Sequence, residues 1–233
     1  MKDFATLFTT IDQTTKTTAK TKALANFFTQ ASDDDKLWTI ALFSGRRPKR
    51  AVTTTQLREW AAEQGDIPLW LLEESYPVVG DLAETIALVL PPPSRQSDLP
   101  LTHWITELKS LVTADIETRK ARILDAWDQL EATERFLFNK LITGGFRIGV
   151  SRKLMTRALA QATGQEEASL AHRLMGGWTP ETTSFHHLIE AEDSVADESR
   201  PYPFYLAYQL DDPPDGLGDP EDWLAEWKWD GIR

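Results

Sequence analysis

The chain has 233 residues, of which 41% are hydrophobic, with 9 Trp and 10 Phe, enough apolar material for a sizeable core. It has no Cys, which excludes a disulfide framework and a thiolate zinc site. No apolar run approaches eighteen residues and the start, "MKDFATLFTTIDQTTKTTAK", is not a secretory signal, so an intracellular, cytoplasmic protein without a membrane span is expected. The net charge of -11 argues against a nucleic-acid partner at first sight, yet it is unevenly spread. Residues 181–233 hold 14 acidic and 3 basic residues, whereas the other 180 carry 22 of each sign.

Taken in chain order, the first 175 residues read as helix after helix. Helical stretches are predicted near 4–11 and 17–30, followed by "SDDDKLWTIALFSG". There Ser32 is an N-cap, three Asp fill the first turn and Gly45 stands past the end, each suited to the helix dipole and its orphan backbone groups. A basic knot, "SGRRPKR", comes next, with Arg46, Arg47, Lys49 and Arg50 in five positions. A helix over 54–64 precedes "GDLAETIALVLPPP", where Asp81 and Glu84 read as a capping box and the prolines as a stop. Stretches at 102–112, 115–130 and 132–142 follow. "SRKLMTRALAQATG" then places Leu154, Met155, Ala158, Leu159 and Ala162 on one stripe, with Gly164 as terminator. The tryptophans at 38, 60, 70, 104 and 127 fall at helical apolar positions and are assigned to the core, and His186 and His187 to a surface turn.

From Arg135 to Gln165 the chain has six basic residues and no acidic one. A local basic surface of this kind attracts phosphates whatever the total charge. Within it, Gly144, Gly145 and Gly149 allow the backbone to lie close to a partner, with Arg147 between them, while Ser151, Arg152 and Lys153 open a helix. Cations there oppose the helix dipole, which makes sense where an anion is bound.

After about Trp178 the composition turns to Pro, Gly and Asp, read as a linker and domain entry over 179–221. "DWLAEWKWDG" then alternates: Trp223, Ala225, Trp227 and Trp229 share one face, and Glu226, Lys228 and Asp230 the other. The expectation is a strand opening a second domain at 222–233, broken off before that domain is built. A Lys amine held between carboxylates can attack phosphorus, Gly231 lets backbone approach a ligand, and Arg233 can grip a phosphate or ribose. Lys-x-Asp-Gly-x-Arg fixes four positions, which a chain this long matches by accident roughly once in several hundred tries.

"EWKWDGIR" resembles the nucleotide-binding motif of the covalent nucleotidyltransferases, namely ATP-dependent DNA ligases, RNA ligases and mRNA capping enzymes. Alone it does not choose among them. "GGFRIGVSRKLMTRALAQATG", "VGDLAETIALVL" and "FSGRRPKR" resemble, in this order, the signature, a Gly-Asp-Leu segment and an early basic turn of the DNA-binding domain of ATP-dependent DNA ligases. The resemblance implies an all-α, multi-helical DNA-binding domain over 1–178, then the linker and the first strand of a nucleotidyltransferase domain. It implies Lys228 as the adenylated nucleophile, Glu226 as the adenine contact, Arg233 as the ribose or phosphate contact, and Asp230 and Gly231 in support. ATP and magnesium are the implied cofactors, the magnesium ligands falling outside these residues. The implied partner is nicked duplex DNA, bound without sequence preference by a monomer through Arg46, Arg47, Lys49, Arg50, Gly145, Arg147, Gly149, Ser151, Arg152 and Lys153. These residues by themselves are expected to bind DNA without ligating it. The alternatives are a stand-alone helical DNA-binding module and a capping-type enzyme, the latter disfavoured by the large helical domain ahead of the motif.

Overall fold

The structure is a computed structural model that describes residues 1–146, 148–190, 216 and 218–222. Among them are twelve α-helices and no strand. The helices are α1 (Lys2–Asp12), α2 (Thr17–Gln30), α3 (Asp33–Phe43), α4 (Thr54–Gln64), α5 (Leu69–Val79) and α6 (Leu82–Val89). They continue as α7 (Leu101–Ser110), α8 (Ile116–Gln129), α9 (Ala132–Thr143), α10 (Arg152–Thr163), α11 (Glu167–Met175) and α12 (Phe185–Glu190). The chain forms two compact units, 1–201 and 202–233. In the second, a 3-10 turn at Pro220–Asp222 is closed by Asp219, whose Oδ1 accepts the Glu221 N–H at 3.0 Å. Trp223 to Arg233, and with them the expected strand, lie outside the described residues.

The helix-start signals act as their chemistry requires. Ser32 Oγ accepts the Asp35 N–H at 3.3 Å, and Ser151 Oγ accepts the Leu154 N–H at 3.2 Å. Asp81 caps α6 through the N–H groups of Ala83 and Glu84 at 2.9 and 3.2 Å, but the return bond that would complete a capping box is absent among the described residues. The other Asp81 oxygen is ion-paired with Lys140 of α9, so a tertiary partner takes the place of the local one. Complete capping boxes occur instead at Thr53/Gln56 and Glu131/Glu134.

One core runs through the first unit. Helix α10 packs along α2 with its predicted stripe of Leu154, Met155, Ala158 and Leu159 buried, and α6 packs on α9. At the centre, fully buried Trp127 donates its indole N–H to Asn139 Oδ1 at 2.8 Å, and Asn139 donates to the Ala83 carbonyl at 3.3 Å. The paired polar groups join α8, α9 and α6 without an orphaned amide. The body continues past 178, into the stretch read as linker: α12 inserts Phe185, Leu188 and Ile189 into the core against α3 and α11. His186 and His187, read as a turn, lie exposed on this helix.

Trp38, Trp60, Trp104 and Trp127 are buried as expected, whereas Trp70 is 63% exposed and overturns its assignment to the core. Helix α5 packs mainly on α4 and α6 and, among the described residues, buries one side chain, Leu72. Its other apolar residues stay at least partly exposed, which periodicity within one helix cannot reveal.

Candidate nucleic-acid interface

The α9–α10 connection is the one local structure on which the sequence-predicted basic segments meet. Lys140 sends its backbone carbonyl to the Gly144 N–H at 2.8 Å, ending α9. Gly144 then takes φ +87°, a conformation L side chains rarely adopt, and a Cβ there would collide with the Arg47 guanidinium. Phe146 turns inward and packs edge-on against Phe4 and Phe8, at 5.9 and 6.4 Å between ring centroids. Ile148 is buried, and Gly149 at φ +64° leaves the turn for the Ser151 cap of α10. Two apolar anchors thus hold a glycine-rich loop against α1, with its backbone at the surface.

Cations from three elements gather on this loop. Arg47, after α3, donates to the Thr143 carbonyl at 3.3 Å. Lys140 lies beside Gly145, with its ammonium 4.0 Å from where a Cβ would stand. Lys20 of α2, 9% exposed, donates from Nζ to the Ile148 carbonyl at 2.6 Å and sits 3.1 Å from the position a Gly149 Cβ would occupy. Lys20 was missed by sequence reasoning, because 128 residues separate it from the loop and its neighbours "TTAKTK" carry no motif. Its only early signal was a charged residue at a position that α2 turns toward the core.

Between the two basic segments lies an open cleft of about 820 Å³, lined by Ser44 to Arg47 on one side and by the glycine loop and Ser151 on the other. Arg152 and Lys153 occupy the exposed first turn of α10, where no acidic residue offsets them. Lys49 and Arg50 are exposed nearby in sequence to the Arg47 wall. Among the described residues, none of Arg47, Lys49, Arg50, Arg152 and Lys153 has a carboxylate partner; within the basic stretches those partners are Asp81 for Lys140 and Glu167 for Arg157.

Three of the basic residues have internal duties. Arg46 donates to the Trp178 carbonyl and, at 3.1 Å, to the Gly176 carbonyl, and its guanidinium lies 4.2 Å over the Trp178 ring. Burial, and then the neighbouring Arg152 charge, pull its pKa below the usual arginine value. Arg46 and Arg152, one from each basic segment, therefore stand within electrostatic reach of each other. Arg135 is buried and donates to the carbonyls of Trp127 and Pro91, at 2.5 and 2.6 Å. It belongs to the core and not to the surface that the charge run suggested. Lys140 is tied to Asp81.

Of the predicted DNA contacts, the structure therefore brings together Arg46, Arg47, Gly145, Gly149, Ser151 and Arg152, with Lys153 beside Arg152 and with Lys49 and Arg50 following Arg47. Arg147 lies outside the described residues, as do Glu226, Lys228, Asp230, Gly231 and Arg233. No group of three or more His, Asp or Glu able to hold a metal occurs among the described residues. Nor is any helix among them long and apolar enough to cross a membrane.

The described residues thus form a helical body with a cationic, glycine-lined cleft. Residues 1–160 match the sequence model of the DNA ligase N terminus, a span that includes every wall of the cleft. The chain belongs to the ATP-dependent DNA ligase family, with residues 1–160 matching that family's N-terminal domain. No curated protein matches the chain.

Proposed function

We propose that the cleft grips the sugar-phosphate backbone of nicked duplex DNA, without sequence preference, as part of an ATP-dependent DNA ligase acting as a monomer. The observation that carries this reading is the set of cations without a carboxylate partner among the described residues around one glycine loop: Arg47, Arg152 and Lys153, with Lys49 and Arg50 adjoining. Unpaired cations exposed at a helix start are unfavourable in isolation and become favourable when a phosphate takes the same site. Contacts to phosphate fix position and carry no sequence information, which suits an enzyme that must act on any nick.

Arg147 belongs to the same group by sequence. Arg46 contributes mainly by holding the turn that presents Arg47, since its own donors serve the Gly176 and Trp178 carbonyls. Lys228 is the amine that attacks the α-phosphorus of ATP, forming a lysyl-AMP phosphoramidate as the α–β phosphoanhydride breaks and pyrophosphate leaves, with Glu226 on the adenine, Arg233 on ribose or phosphate, and Asp230 and Gly231 shaping the turn. Magnesium, when bound, would offset the phosphate charge, and none of these residues is assigned to hold it. The 233 residues by themselves bind DNA and do not seal it, since the motifs that complete the nucleotide site are not among them.

The test is a salt series with nicked and intact duplexes of several sequences, comparing the native chain with Arg47→Gln, Arg152→Gln. The expected result is binding indifferent to sequence, with a log–log salt slope that falls by about 0.9 for each phosphate-contacting cation removed. An unchanged slope in the variant would overturn the cleft as the DNA site. Separately, Lys228→Ala in the ligase that carries these residues should abolish AMP transfer while DNA binding persists.

A further inference from the structure

Helix α5 is anomalous for a surface helix. Six of the ten large hydrophobic residues exposed among the described residues fall in its eleven positions: Leu69, Trp70, Leu71, Tyr76, Val78 and Val79. Val78 is 86% exposed, and on the adjoining α6 Leu88 is 69% exposed. Scattered exposed apolar residues are normal in soluble proteins, but a contiguous cluster marks an interaction surface.

The charge around this face limits what covers it. Residues 51–94 contain seven acidic residues and one basic, Arg58, which is paired with Glu73 at 3.1 Å. Glu63 and Asp81 are also paired, with Lys120 and Lys140, which leaves Glu59, Asp66, Glu74 and Glu84 without a cation among the described residues. Of these, Glu74 stands between Trp70 and Val78 at i, i+4 spacing on α5, and an apolar face that carries a carboxylate in this way repels nucleic acid and anionic lipid. It also repels a second copy of itself, since an isologous contact would set the same carboxylates against each other. The complement is a surface whose apolar residues are flanked by Lys or Arg. The eleven residues of α5 extend roughly 16 Å, the length of a short peptide segment and not of a full domain interface.

We propose that the exposed face of α5 is a docking site for a short amphipathic basic segment of another protein. Its apolar side chains cover Trp70 and Val78, and its cations pair with Glu74. No residue of α5 lines the cleft, which is built from the turn after α3 and the α9–α10 loop. A segment bound to α5 therefore leaves the cleft open.

The probe is a labelled 18-residue Lys/Leu amphipathic helix, with a Glu/Leu peptide of the same pattern as control, titrated by anisotropy against the 233-residue chain. The acidic residues after 180 can attract any cationic peptide, so the apolar substitution decides. Trp70→Ser, Val78→Ser removes two exposed side chains, and thermal unfolding of this variant should match the native chain. At least a tenfold loss of Lys/Leu affinity is expected in this variant and also in Glu74→Lys. Nicked-duplex binding should be unchanged in both. Undiminished peptide binding by Trp70→Ser, Val78→Ser would overturn the proposal. So would self-association of the native chain in sedimentation that this variant abolishes, which would assign the face to a second copy.

Discussion

Lys20 shows how one residue without a local signal can govern a site. Its ammonium is buried and spends one donor on the Ile148 carbonyl, at the point where the glycine loop turns toward α10. Lys20→Met keeps the stem and removes the donor, leaving a buried carbonyl unsatisfied at a cost of about 1–3 kcal/mol. The loop should loosen, and nicked-duplex affinity should fall about tenfold, equivalent to about 1.4 kcal/mol. Unchanged affinity in the same titration would limit Lys20 to stability alone. Asp35 is the counterpart on the stability side. Read from sequence as one of three first-turn acids of α3, it accepts from Leu101 N–H at 3.2 Å, Thr102 N–H at 2.8 Å and the Thr102 hydroxyl at 2.6 Å. It thereby caps α7, whose own N-cap is Pro100 and offers no side-chain acceptor. Asp35→Ala should lower unfolding free energy in urea by about 2–3 kcal/mol, more than an ordinary exposed cap.

At the scale of the element, the glycine loop and α10 work as a unit. Gly149 has both a left-handed φ and a lysine ammonium where a Cβ would project, so Gly149→Ala meets backbone strain and displaces Lys20 together. The backbone term alone is about 1–2 kcal/mol. Thermal unfolding should reveal it, and duplex binding should weaken alongside. The beginning of α10 was legible in sequence because Ser151 and the apolar stripe are local features. The loop's packing was not, because Phe146 finds its place only through Phe4 and Phe8, more than a hundred residues earlier. Helix α5 shows the reverse failure. Trp70 sits among apolar residues that read as a core stripe, but burial depends on what lies opposite, and this side chain remains largely exposed.

For the whole molecule, the relevant quantity is where charge collects. The first 180 residues are balanced overall, yet among the described residues the fold places cations without carboxylate partners at the cleft and leaves Glu74 without a cation on α5. DNA affinity should therefore depend steeply on salt despite the net charge of -11. Stability should respond to acid through the long-range ties of the body. The carboxyl of Asp128 is held below the ordinary range by hydrogen bonds from the Ser94 hydroxyl and N–H, at 2.6 and 2.9 Å, with Arg95 adding to the effect. A depressed folded-state value means that its contribution is fully present above about pH 4, the ordinary Asp range, and is lost as pH falls through the folded value. Asp128→Asn should lower Tm at neutral pH and flatten the decline of Tm below about pH 4. A parallel decline in both proteins would assign the acid sensitivity elsewhere.

The sequence by itself determined the all-α class, most helix boundaries with their caps, the family to which the chain belongs, and the two basic segments. Each depends on residues within a few turns of one another or on a short ordered motif. Only the tertiary structure decided which basic residues are available. Arg135 was withdrawn into the core, Arg46 to the Gly176 and Trp178 carbonyls and Lys140 to Asp81, while Lys20 was brought under the loop from α2. A charge has no periodicity of its own. Whether it meets a carbonyl, a carboxylate or solvent is set by elements distant in the chain, and that pairing separates a structural cation from one free to meet a phosphate.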